Sequence, residues 1–203
     1  MYKRQLEICD SIYRGREDFI YRIAVSEQPF ITHIFPLGGR QGTQTTAAVQ
    51  GFNLPQTQLP LDTQTGPDSI RHTVYNNDKE YSNSIVYAVD NLPECNETES
   101  NNTIKDAQQI ETPMIINGRI DTAGDLDIFS FKGRAGEKIV AEVYARRLNS
   151  PLDSVLRLTD QSGKVLAWND DHMIKDSHLH KDTTGLVTHH ADSYLLTLSL
   201  IHI

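Results

Sequence analysis

Apolar and polar positions alternate every second residue along much of this chain, and no stretch of useful length repeats at the helical period. Leu6-Glu7-Ile8 alternates, as does Phe19-Ile20-Tyr21-Arg22-Ile23-Ala24-Val25, so residues 6–25 read as two strands around a Tyr13–Asp18 loop. Such a hairpin is marginal by itself in water and needs a sheet to lean on. Pro29 to Pro36 reads as a strand closed by proline, Leu37 to Gly42 as a turn, Thr45 to Phe52 as a second strand, and Tyr81 to Val89 as a third. Between them Gln56–Ser69, rich in Pro, Thr, Gln and Asp with poor periodicity, reads as loop. Further on, the turn sequences Asn117-Gly118 and Gly124-Asp125-Leu126-Asp127 lead into two strongly alternating strands that end near Val143. The pattern predicts an all-β chain.

Composition narrows the function classes. The 203 residues allow one to two domains, and the 38% hydrophobic content, with only 7% aromatic, allows a thin core. A net charge of −8 argues against a nucleic-acid partner, which would need clustered Lys and Arg. No run approaches the roughly 18 apolar residues of a membrane span, and no apolar leader follows Met1. Cys9 and Cys95 are far apart and fit no metal spacing; two unpaired thiols are expected, with a disulfide as the alternative for an exported chain. Tyr2-Lys3-Arg4-Gln5 and Leu198-Ser199-Leu200-Ile201-His202-Ile203 resemble in-frame translations of a transposase mosaic-end adapter and its reverse complement. Residues 1–5 and 198–203 are therefore expected to be adapter-derived, and the chain to be a piece of a longer protein.

Two family resemblances organise the rest. Pro29, Ile31, Ile34, Pro36, Gly38, Gly39, Gly42, Val49, Gly51, Asn53 and Leu54 resemble the pattern of an IPT/TIG immunoglobulin-like domain over residues 29–91, from which the closing Val86-Tyr87-Ala88-Val89 departs. That resemblance implies spacing or contact without catalysis. From Glu94 onward the ordered motifs Glu97-x-Glu99-x-Asn101-Asn102-Thr103, Gly118-Arg119-Ile120, Gly124-Asp125-Leu126-Asp127-Ile128-Phe129, Ala135-Gly136-Glu137, Leu152-Asp153-Ser154, Gly163-Lys164-Val165 and Asn169-Asp170-Asp171 resemble the bacterial pre-peptidase C-terminal domain. Ser100 stands where that family often has proline. Gly185 to Leu195 is similar to versions found in large planctomycete secreted proteins. The resemblance implies a jelly-roll-like β-sandwich over residues 94–197, lacking its last strands, behind an Ig-like sandwich. The family's closing pattern is absent after Leu196 but occurs at Asp10, Gly15, Phe19, Tyr21, Arg22 and Ile23, so residues 6–25 resemble the tail of a preceding copy. That hairpin is expected to pair with the open edge of the second sandwich, because unpaired edge strands recruit strands.

The chemistry-bearing residues point first to calcium, which takes six to eight oxygen ligands. Glu97, Glu99, Asn101 and Asn102 sit at the spacing an extended linker needs to aim oxygens one way, and Asp125 or Asp127 completes a candidate shell. In the collagen-binding relatives of the resembled family a similar linker set with strand-turn aspartates binds calcium. The competing reading is a solvated acidic linker with Asn-capped turns. A second His/Asp-rich segment holds Asp170, Asp171, His172, Asp176, His178, His180, Asp182, His189, His190 and Asp192. Its spacing matches no zinc-hydrolase helix and reads as a long polar connection, with Asp170, Asp171 and Asp192 as candidates for another hard cation. No Gly-x-Ser-x-Gly elbow occurs, Gly38-Gly39 lacks the lysine of a phosphate loop, and Arg14-Gly15-Arg16 reads as a solvated loop tip. Tyr13, Tyr75 and Trp168 are candidates for exposed polymer contact, with core or rim packing the alternative for Trp168. The expected role is thus a non-catalytic extracellular binding or spacer module, calcium-stiffened, in a secreted, periplasmic or cell-surface bacterial protein. Its partners would be an extracellular protein or polysaccharide and the neighbouring domains of the parent chain. The alternative is an accessory domain of a secreted peptidase whose catalytic domain lies elsewhere.

Overall fold

The structure is a computed structural model that describes residues 3–134, 136–171 and 192–198. It is all-β. In the first unit β1 (Phe30–Phe35), β2 (Gly38–Arg40), β3 (Thr45–Phe52), β4 (Gln58–Leu61), β5 (Ile70–Thr73) and β6 (Ile85–Asp90) form two three-stranded sheets, ordered β1-β3-β4 and β2-β6-β5. Alternation sets their inner faces. Ala47 and Val49 on β3, Leu59 and Leu61 on β4, and Ile85, Tyr87 and Val89 on β6 all point into one buried cluster. Each such side chain contributes about 1.5–3 kcal/mol when fully buried. Ile31 and Ile34 join the same core although they are three residues apart, because the β1–β3 register slips between Ile31 and His33. A bulge of this kind reverses the phase of the strand. Opposite it, Gly51 leaves no room for a side chain: a Cβ there would run into the backbone carbonyl of Phe30.

The second unit is a set of short strand pairs. β7 (Glu94–Asn96) runs parallel to β9 (Ile115–Asn117), and β8 (Gln108–Gln109) runs parallel to β10 (Phe129–Ser130). β11 (Lys138–Glu142) is antiparallel to β14 (Tyr194–Leu198), and β12 (Leu156–Thr159) is antiparallel to β13 (Val165–Asn169). Its buried hydrophobic side chains among the described residues are Ala145, Leu148 and Leu195, so polar contacts carry more of the load here. Asp192, 1% exposed, gathers the backbone N–H groups of Ala145 (3.0 Å), Arg146 (2.7 Å) and Arg147 (3.2 Å) together with Arg147 Nε (2.8 Å). This carboxylate pins the 3₁₀ turn Arg146–Leu148, which passes beside β6 of the first unit. Arg147 also pairs with Glu142 (2.7 Å) and stacks on Tyr144. Next to it Ser193 is buried against Ser154, whose carbonyl and hydroxyl it engages. Among the described residues no helix is long and apolar enough to cross a membrane.

Several expectations change. Residues 6–25 form no strand: they hold isolated turns, one of them closed by Tyr13 N–H on Asp10 O, and Leu6, Ile8, Ile20 and Tyr21 remain exposed. Alternation makes a strand only where a sheet accepts the apolar face, and none of the described strands pairs with this segment. The 56–69 stretch is not all loop, because Gln58–Leu61 pairs with Thr45–Ala48 and buries Leu59 and Leu61 despite Pro60 between them. As an edge strand, β4 tolerates that proline. Tyr75 is core rather than exposed surface, its hydroxyl accepting from Asn77 Nδ2 at 2.6 Å. Tyr13 and Trp168 are exposed. Both cysteines are unpaired.

Candidate metal centre

The site lies where β7 hands over to the linker behind it. Parallel pairing in the register Glu94↔Ile115, Cys95↔Ile116, Asn96↔Asn117 continues one step further, with Glu97 N–H donating to Asn117 O at 2.9 Å. That places Glu97 beside the Asn117-Gly118-Arg119 corner, and Arg119 N–H donates to Glu97 Oε1 at 2.6 Å. Gly118 is the floor. A Cβ at this position would sit 2.6 Å from Glu97 Oε2 and 3.4 Å from Asp127 Oδ2, so both carboxylates converge on the space its missing side chain leaves. Asp127 arrives from the Gly124–Asp127 turn ahead of β10, which the parallel pairing with β8 holds in place. The linker is riveted from the other side by Gln108, whose amide accepts from Thr98 N–H (2.7 Å) and donates to Asn96 O (3.0 Å).

One carboxylate oxygen each from Glu97, Glu99 and Asp127 lies within 4.8 Å of the others. Calcium–oxygen bonds of roughly 2.3–2.6 Å put opposite ligands about 4.6–5.2 Å apart, so this spacing suits one shell. Unsatisfied atoms mark the same place. Glu97 Oε2, Asp127 Oδ1 and both side-chain atoms of Asn101 are buried without a hydrogen-bond partner. Asn101 is fully buried and sits between the carboxylates by its backbone: its N–H donates to Glu99 Oε2 (3.3 Å) and its carbonyl accepts from Ile128 N–H (3.1 Å). Orphaned polar atoms of this kind cost free energy unless something answers them.

Electrostatics agree with the geometry. Burial pushes the Glu97 carboxyl up to about 7; the Arg119 N–H bond pulls it down and the Asp127 charge adds to the rise. Asp127 is raised as well, mainly by burial, with the charges of Asp125, Glu99 and Asp121 contributing. A pocket of carboxylates held this close at neutral pH favours a positive occupant, whether a proton or a cation.

Of the six residues expected at this site, Glu97, Glu99 and Asp127 come together, with Asn101 beside them. Asn102 and Asp125 are spent next door. Asp125 accepts from Asp121 N–H (2.8 Å) and Leu126 N–H (3.1 Å), and the Asn102 amide nitrogen faces Leu126 O and Asp125 Oδ1. The sequence reading missed Gly118 and Arg119 as parts of the site. Asn-Gly is legible as a turn, but that a carboxylate fills the glycine's empty side shows only in three dimensions. The further cation set of Asp170, Asp171 and Asp192 does not form, because Asp192 is consumed by the 3₁₀ turn and Arg147, while Asp170 and Asp171 are exposed. His172, Asp176, His178, His180, Asp182, His189 and His190 lie outside the described residues.

Comparison with known proteins adds one relation. A 54-residue stretch is 54% identical to a probable subtilase-type serine protease of Deinococcus radiodurans, and it covers 26% of this chain and 7% of that protein. No family model matches the chain. No solved structure matches it.

Proposed function

We propose that this chain is a non-catalytic accessory part of a large exported bacterial protein, made of an Ig-like spacer and a pre-peptidase-C-terminal-like β unit that binds calcium. The observation that carries the reading is the convergence of Glu97, Glu99 and Asp127 over Gly118 with buried oxygens left unanswered. The all-oxygen donor set fits a hard cation, since no cysteine or histidine contributes to it. Calcium bound there would neutralise the mutual repulsion of the carboxylates and tie β7, the Glu97–Asn101 linker and the Asp127 turn into one piece.

A secreted peptidase is the favoured parent. The stretch shared with the subtilase-type protease is a small fraction of a far longer protein, which is what an accessory segment would share. Extracellular protein or polysaccharide is the proposed partner class, with Trp168 (60% exposed), paired across β12–β13 with Arg157, as its contact. Thermal melts of chelator-treated protein with millimolar calcium, magnesium or zinc test the site. Calcium should raise the melting temperature by several degrees and zinc should not surpass it. Indifference to calcium sinks the reading.

A further inference from the structure

The floor of the cation site is also a hinge point. Chain passes from β6 of the first unit to β7 of the second through Asn91, Leu92 and Pro93 alone. Across this junction the Arg119 guanidinium carbon lies 3.9 Å from the centre of the Phe35 ring, at the end of β1. The same residue's N–H is bonded to Glu97 Oε1. Arg119 therefore touches both the carboxylate cluster, through its backbone, and the first sandwich, through its side chain.

We propose that occupancy of the Glu97–Glu99–Asp127 site by calcium fixes the orientation of the two β units, with Arg119 as the positioning residue that transmits it to Phe35. The proposal rests on the cation reading above. Without a cation, Glu97 and Asp127 repel across Gly118, and the strand end carrying Arg119 is free to draw away from the linker. With a cation holding both carboxylates, the Asn117–Arg119 corner stays against Glu97 and the guanidinium stays on the ring. A ligand shifts such an equilibrium only through different affinity for the two arrangements. Here the difference is whether Glu97 and Asp127 sit close enough to share one ion.

The test is small-angle X-ray scattering from the full chain, in chelator and in millimolar calcium chloride, with calcium calorimetry on the same samples. Arg119→Ala and Phe35→Leu are compared with the unaltered chain. Arg119 is exposed, and leucine keeps the apolar bulk of Phe35, so neither change touches the core cluster. Expected for the unaltered chain is a calcium-dependent loss of the extended tail of the distance distribution. Both variants should bind calcium within about threefold of it yet lose that scattering change. Binding heat without any scattering change, or variants that contract as the unaltered chain does, overturns the coupling and leaves the site standing. Absence of binding heat overturns both.

Discussion

Gly118 carries a sharp consequence at the scale of single residues. A methyl group there meets the end of a flexible glutamate rather than backbone, so the fold can absorb it by turning Glu97 away. Gly118→Ala should therefore melt within a few degrees of the unaltered chain while calcium affinity falls at least tenfold, which calorimetry reads directly. Titration gives a second consequence. Because Glu97 is raised to about 7 in the folded chain against 4.5 otherwise, the folded state holds the extra proton between those values. Stability of the metal-free protein should then be highest below about pH 4.5 as far as this group is concerned, and decline as pH rises to about 7. Glu97→Gln should flatten that decline in chelator, and calcium should flatten it in the unaltered chain; urea melts across this range check both. The sequence marks Glu97, Glu99, Asn101 and Asp127 by residue type and spacing. It could not divide Asp125 from Asp127, because which of two turn aspartates faces the linker depends on the β8–β10 pairing.

Among the elements, β1, β3 and β6 were legible because their apolar side chains repeat on one face and a sheet accepts them. β4 was hidden by Pro60 and by its polar surroundings, and β5, Ile-Arg-His-Thr, buries no full apolar side. In β5 it is Arg71 that turns toward the unit, donating to the carbonyls of Asp62, Asp68 and Gln64 and so holding the loop on either side. Residues 6–25 fail the other way: the alternation is present and the receiving sheet is not. Two substitutions test these elements. Gly51→Ala forces a side chain into the Phe30 carbonyl at the β1 bulge and should cost about 1–3 kcal/mol in urea unfolding. Asp192→Ala strips the partner from three backbone N–H groups and from Arg147, leaving a half-buried guanidinium with Glu142 alone. A loss of about 2–4 kcal/mol is expected, with faster amide exchange at Ala145–Arg147 and little change in β1, β3 or β6. Uniform loss of protection across both units would contradict the local role given to Asp192.

At the scale of the whole molecule, a packed sandwich is joined to a unit with a thin apolar core through a short linker whose acidic end is answered by no side chain of the protein. The first unit is held mainly by burial; the second depends on polar anchors at Asp192 and Ser193 and, in this account, on an ion at Glu97, Glu99 and Asp127. This division suits an accessory segment that stiffens where calcium is plentiful outside the cell and needs no pocket for chemistry. The most direct measurement is a calorimetric calcium titration of the chelator-treated chain beside Glu97→Gln/Asp127→Asn. One calcium per chain, with binding lost in the double variant, is the predicted result. No heat, or the same heat from both proteins, would contradict the account.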